Sequence, residues 1–80
     1  MPPEYWQKDA YMQEIINFAR AEYEQYNYNN NISKVLSMQR QTVSGYNFKM
    51  YFSAQYGQIE IIVYDQPWSD TRQVTSIRQM

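Results

Sequence analysis

The chain of 80 residues contains no cysteine and no histidine, and seven basic and eight acidic residues give it a net charge of −1. This length fits one small domain without a disulfide staple, and the missing residue types exclude Ser/His and Cys/His catalytic pairs and argue against a zinc site. The charge pattern shows no basic block for nucleic acid, and no apolar run approaches the ~18 residues of a membrane span.

The chain opens with Met1-Pro2-Pro3-Glu4. Proline disfavours helix at the residue before it, so residues 1–8 are predicted to form an extended N-terminal arm. This opening lacks the features of a secretory signal peptide. We therefore expect either a cytoplasmic protein or a mature secreted domain, and the sequence does not choose between them.

A helical pattern begins after Asp9, a residue type that caps helix N-termini. The segment Asn27–Asn31 contains four asparagines, which favour turns and predict the end of the helix. Between these limits apolar side chains recur at spacings of three and four, which places them on one face. They are Met12, Ile15, Ile16, Ala19, Tyr23 and Tyr26.

The remaining sequence predicts about four strands joined by short connections. Ile32–Gln41 alternates loosely, with Val35 and either Leu36 or Met38 directed inward, and the last strand is predicted at Thr71–Ile77. Between them, alternation is clear and the inward-facing residues are Phe48, Met50, Phe52, Ile59, Ile61 and Val63. Residues 65–70 are predicted to form a polar loop.

Short connections imply antiparallel neighbours, and a lone amphipathic helix must bury its apolar stripe on a face of the sheet. The predicted fold class is therefore α+β, with one long N-terminal helix packed on a four- to five-stranded antiparallel sheet. Residues 1–80 are predicted to form a single domain.

Candidate catalytic groups are scarce. Two glycines cannot build a glycine-rich phosphate loop, and most carboxylates fall on the predicted helix surface, where solvation is the usual role. Asp65 and Asp70 flank one loop, which makes a hydrolytic enzyme a distant third alternative. We expect no enzymatic activity, no metal and no cofactor.

Two inter-strand loops carry a resemblance to a known family. The first contains Gln41-Thr42-Val43-Ser44-Gly45 followed by Tyr46-Asn47-Phe48, and the second contains Pro67-Trp68. The pattern Gln-x-Val-x-Gly followed by x-Asn-aromatic, with Pro-Trp two strands later, resembles the cystatin superfamily. The helix segment Ile15–Tyr23 is similar to a degraded form of the plant cystatin helix signature. The absence of cysteine resembles stefins and plant cystatins.

The resemblance implies a reversible, competitive inhibitor of papain-like cysteine proteases, with papain and cathepsin L types as partners. It implies that two hairpin loops and the N-terminal arm enter the protease cleft. The protease-binding residues would then be Gln41, Thr42, Val43, Ser44, Gly45, Pro67 and Trp68, with Pro2, Pro3 and Glu4 in the arm. One departure stands out: inhibitory cystatins carry a glycine ahead of the helix, and this chain has none before Gly45.

Other interpretations of the same residues remain open. Gly45 alone could be a hairpin glycine, and Val43 could be an ordinary strand valine. Trp68 could be a core residue, although its place after a proline in a polar loop is unusual for a core tryptophan. The scaffold could bind a different protein, such as another protease class, or serve as a structural or carrier domain. A monomer is favoured over a domain-swapped dimer, although Val43 is β-branched and favours an opened hairpin.

Overall fold

In the computed structural model, which describes residues 6–26 and 29–80, a 16-residue helix packs on a four-stranded antiparallel sheet. The strands follow one another in sheet order, so every connection is a hairpin between neighbours. The elements are helix α1 (Ala10–Gln25) and strands β1 (Ile32–Val43), β2 (Gly45–Ala54), β3 (Gln58–Gln66) and β4 (Thr71–Gln79). This architecture confirms the predicted α+β class.

Helix α1 begins and ends close to where the sequence predicts. The Asp9 carboxylate accepts a hydrogen bond of 3.0 Å from the backbone N–H of Met12, which satisfies an orphan donor of the first turn. Five of the six predicted stripe residues are buried. Tyr26 is the exception, at 59% exposed, because it is the C-cap residue and lies beyond the last helical turn.

The predicted arm is wrong for residues 6–8. Trp6 and Gln7 are helical, Lys8 lies in a turn, and the Trp6 side chain is only 6% exposed within the core. The Gln13 side-chain amide donates to the Trp6 carbonyl at 2.9 Å and fixes this turn against the helix. Burial of a large indole outweighs the extended preference indicated by the nearby prolines. The predicted arm residues Pro2, Pro3 and Glu4 lie outside the described residues.

The inward face of the sheet follows the predicted alternation in β2 and β3. All six predicted residues of these strands are buried, and they meet the helix stripe in one core. In β1 the sequence left open whether Leu36 or Met38 faces inward, and Met38 is the buried residue while Leu36 is exposed. A β-bulge between Val35 and Ser37 explains this choice, because the extra residue lets Val35 and Met38 face the same side.

Strand β4 continues two residues past its predicted end and, like β1, contains a shift in its pairing register. A register shift opposite Ile62 and Val63 places both Val74 and Ile77 against the core although they are three residues apart. The bulges in β1 and β4 are therefore what allow the outer strands to contribute to the core.

A buried asparagine closes the end of the sheet that lies away from the β1–β2 hairpin. The Asn30 amide donates to the Tyr56 carbonyl at 2.9 Å and accepts from the Tyr56 N–H at 2.7 Å. The Tyr23 hydroxyl donates to the Asn30 carbonyl at 2.6 Å. These bonds tie the end of α1 to the β2–β3 turn, because a buried amide must have its hydrogen bonds satisfied.

Candidate functional site

The two loops singled out in the sequence emerge side by side at one end of the sheet. We call residues 41–45 the first loop and residues 67–70 the second loop. The strand register fixes their proximity, since Tyr46 pairs with Asp65 while Gln66 pairs with Thr71. The first turn of α1 reaches the same end, where the Tyr11 ring meets the Tyr46 ring at 6.1 Å.

The first loop is a tight turn rather than a long excursion. Gln41 and Thr42 are exposed residues within β1, and Val43 pairs with Gly45, which leaves Ser44 alone at the tip. Val43 is the last residue of β1 and is 46% exposed. Gly45 has a φ of +109°, a conformation that side chains disfavour.

Two outward side chains of β3 hold this turn in place. The Tyr64 hydroxyl donates a hydrogen bond to the Ser44 carbonyl, and the Gln66 side-chain amide lies 3.3 Å from the same oxygen. The Gln66 amide also donates to the Ser44 hydroxyl at 3.3 Å. These partners could not be predicted from the residues around the turn, since they follow Ser44 by 20 and 22 positions. Their outward places in the alternation of β3 are the only signal that singles them out.

The second loop is a short 3₁₀ turn, Pro67–Ser69, closed by Asp70 in the left-handed conformation at φ 54°. Trp68 is the middle residue of this turn, and 67% of its surface is exposed, which excludes the interpretation as a core tryptophan. The predicted polar loop is therefore shorter than expected, because Asp65 and Gln66 complete β3.

A comparison with protein families finds one that covers this arrangement. The family model of the cystatin domain matches residues 4–70, which include the helix and both loops. The chain belongs to the cystatin family. A search among curated proteins finds no significant match. The family is one of protease inhibitors and not of enzymes.

In this cystatin an aromatic cluster lies behind the second loop. The Tyr46 ring meets the Trp68 ring edge-on, with centroids 6.2 Å apart and an interplanar angle of 74°. The Arg40 guanidinium lies 5.5 Å from the centroid of the Tyr46 ring, on the β1 side. Tyr46 thus connects the strand that leaves the first loop with the exposed tryptophan of the second.

Beneath the second loop lies a buried carboxylate that the sequence did not reveal. Asp65 is 1% exposed and forms an ion pair of 2.7 Å with Arg72 of β4, while the Tyr11 hydroxyl donates to its other oxygen. Burial, followed by the hydrogen bond to Asp65, raises the pKa of Tyr11 above its ordinary value. The same carboxylate raises the pKa of Arg72 through its hydrogen bond.

Neither a metal-binding cluster nor a membrane-spanning helix accompanies the two loops in the part of the chain that the structure describes. Within residues 6–26 and 29–80, no three carboxylates gather where they could hold a metal ion. Over the same stretch, no helix is long and apolar enough to cross a bilayer. This end of the sheet, here called the binding edge, presents the exposed side chains of Val43 and Trp68 on two short turns. Hydrogen bonds from Tyr64 and Gln66 hold the first of these turns.

We predict that Gly45→Ala lowers the free energy of unfolding by about 2–4 kcal/mol, because it combines a strained φ with overpacking. A Cβ at this position would lie 2.8 Å from the Tyr64 hydroxyl oxygen and 3.0 Å from the Asp65 carbonyl oxygen. Gly57→Ala is the matched control: its φ is +75°, but its Cβ would meet only the Met80 carbonyl at 3.4 Å. We expect the control to lose only about 1–2 kcal/mol in urea denaturation. Equal losses would contradict the crowding around Gly45.

We predict a loss of stability at alkaline pH that depends on Tyr11. A tyrosine whose folded pKa is raised stabilises the fold below its ordinary pKa of 10.0, and this contribution disappears as the pH rises above it. We measure the free energy of unfolding by urea denaturation at about pH 8 and at about pH 11. The decrease between these two pH values should be smaller for Tyr11→Phe than for the wild type. The Tyr51 pKa is also raised, through a hydrogen bond to Glu60, so Tyr51→Phe serves as the comparison. An unchanged difference in Tyr11→Phe would show that the pKa of Tyr11 is not raised in the folded protein.

Proposed function

We propose that this cystatin is a reversible, competitive inhibitor of papain-like cysteine proteases of the papain and cathepsin L types. Its two loops and N-terminal arm would occlude the active-site cleft. The observation that carries the proposal is the shared edge, at which Val43 of the first loop and Trp68 of the second are both exposed. The predicted contact residues Gln41, Thr42, Ser44, Gly45 and Pro67 lie on the same two loops.

Rigidity favours such an inhibitor. Association costs translational freedom and the entropy of ordering mobile segments, so loops that are already fixed retain more of their contact energy. The first loop is held by Tyr64 and Gln66, and the second is a closed 3₁₀ turn that begins with a proline. Little ordering therefore remains to be done when the edge meets a cleft.

The two loops suit different parts of a cleft. In the first loop, the side chains of Thr42, Val43 and Ser44 are small and exposed, so their backbone groups can approach the cleft walls closely. Gly45 is buried, and its missing side chain makes room for the Tyr64 hydroxyl. In the second loop, the exposed indole of Trp68 offers a large apolar surface, and tryptophan is enriched among residues that dominate binding energy.

The arm is the weakest part of the proposed contact. No glycine precedes Gly45, so the chain ahead of the helix lacks the residue type that bends most readily towards an enzyme. Trp6 is anchored in the core, which fixes the point where the arm begins. We propose that the loops dominate binding and that affinity is lower than for a cystatin with the glycine.

The missing glycine also favours a second candidate, a cystatin scaffold that binds a different protein, for example a protease of another class. Residues 1–80 are proposed to act as one domain and as a monomer, with the domain-swapped dimer as the alternative. Size-exclusion chromatography before and after heating separates these states, since a swapped dimer exchanges only when the hinge opens.

We predict that Trp68→Ala weakens the inhibition of papain by at least about tenfold, the effect expected when a binding hot spot is truncated. Its free energy of unfolding should fall by no more than about 1.5 kcal/mol, because the side chain is largely exposed and loses only its edge-on contact with Tyr46. Tyr56→Ala is the matched control, an exposed aromatic in the turn at the opposite end of the sheet, and should inhibit like the wild type. Equal inhibition by wild type and Trp68→Ala would contradict the role of the second loop. Absence of inhibition by micromolar wild-type protein would favour the second candidate.

Removal of residues 1–4 should change the inhibition constant for papain by less than about tenfold, because two preorganised loops supply most of the contact. The measurement is a titration of papain with the full chain and with the truncated chain, alongside urea denaturation of both. A loss well above tenfold, with stability retained, would show that the arm and not the loops dominates binding.

A further inference from the structure

One side-chain amide contacts both loops on the outer face of the sheet. Gln66 is the last residue of β3, directly before the second loop. Its Nε2 lies 3.3 Å from both the carbonyl and the hydroxyl oxygen of Ser44, at the tip of the first loop. Its Oε1 accepts a hydrogen bond of 2.6 Å from the hydroxyl of Ser69, in the second loop. Gln66 therefore bridges the two loops directly.

One ring makes the equivalent connection on the inner face. Tyr46 follows Gly45 in β2 and faces the same side of the sheet as Phe48, and its ring meets Trp68 edge-on. The ring is itself confined, since Tyr11 packs against it at 6.1 Å and Arg40 lies over it at 5.5 Å. Edge-on aromatic contacts of this kind add to the stability that burial alone provides.

We propose that Gln66 and Tyr46 are positioning residues that join the two loops into one rigid binding edge. Neither belongs to the Gln-x-Val-x-Gly pattern or to Pro-Trp, and they act from opposite faces of the sheet. The consequence for inhibition rests on the proposed function, whereas the consequence for the orientation of Trp68 does not. Tyr46 restricts the rotation of the Trp68 indole, which is otherwise exposed to solvent. Gln66 fixes the distance between the two turns.

The orientation of Trp68 can be measured without a protease. The near-ultraviolet circular dichroism of the wild type minus that of Trp68→Ala isolates the Trp68 signal, because Trp6 is common to both proteins. The same subtraction is made in the Tyr46→Leu and Tyr46→Phe backgrounds. We expect Tyr46→Leu to lose most of the Trp68 signal, and Tyr46→Phe to retain it because the ring is kept. An unchanged Trp68 signal in Tyr46→Leu, with the fold intact in the far ultraviolet, would overturn the proposal.

A double-mutant cycle separates positioning from general destabilisation. Tyr46→Leu should weaken inhibition of papain by about threefold to tenfold in the wild type, and by less than about twofold when Trp68 is already alanine. A merely structural role of Tyr46 would give the same loss in both backgrounds, and that result would overturn the proposal. If the wild type does not inhibit papain, the proposed function fails, while the circular dichroism test still decides whether Tyr46 positions Trp68.

The role of Gln66 is tested with two replacements of similar length. Gln66→Met removes both hydrogen-bonded links, whereas Gln66→Glu keeps an acceptor for Ser69 but loses the donor to Ser44. Both should weaken inhibition by about threefold to tenfold, and Gln66→Met should also reduce the Trp68 signal. Gln39→Met, an exposed glutamine of β1, is the matched control and should match the wild type. Wild-type inhibition and an unchanged Trp68 signal in Gln66→Met would overturn the role of Gln66.

Discussion

The carboxylate of Asp65 bears a charge almost wholly removed from water, and such a charge is stable only when it is paired and hydrogen-bonded. Its partners come from two other elements, Arg72 of β4 and Tyr11 of α1. This single group therefore ties the start of the helix to the two strands that flank the second loop. Because an unpaired buried charge is so unfavourable, arrangements that separate these three elements at this end of the sheet are disfavoured.

The positions of both loops in the binding edge depend on this buried Asp65 carboxylate. Pro67 and Trp68 follow Asp65 by two and three positions, so a fixed Asp65 fixes where the second loop begins. Tyr46, paired with Asp65 across the strands, carries the same constraint to the first loop and meets Trp68 with its ring. The edge is thus a set of short turns supported from below by a buried ion pair and from both faces by side chains. This is the form expected of an inhibitor that binds through preorganised loops.

Local periodicity explains why much of the fold could be predicted from the sequence. The helix stripe and the alternation of β2 and β3 depend on neighbours within a few residues, and both were found. The choice between Leu36 and Met38 could not be made, because it depends on a bulge in the pairing of β1 with β2. The buried positions of Trp6 and Asp65 were missed because their surroundings come from distant parts of the chain. Polar or proline-rich neighbours indicated the surface in each case.

In the candidate site, too, features that depend on neighbouring residues could be predicted, and features that depend on distant parts of the chain could not. The exposed position of Trp68 followed from its proline and its polar neighbours, and the turn at Gly45 from the glycine. Among the residues that hold these loops, Tyr64 and Gln66 are marked in the sequence only by their outward places in the alternation of β3, and Tyr46 only by its place directly after Gly45. Their roles arise only when strand register brings them beside Ser44 and Trp68.

The most direct test of the central claim, that the loop edge occupies a protease cleft, is the apparent inhibition constant for papain at several substrate concentrations around KM. If the edge and the substrate compete for the cleft, the apparent constant should rise linearly with substrate concentration. An apparent constant that does not depend on substrate would contradict occlusion of the cleft by the two loops.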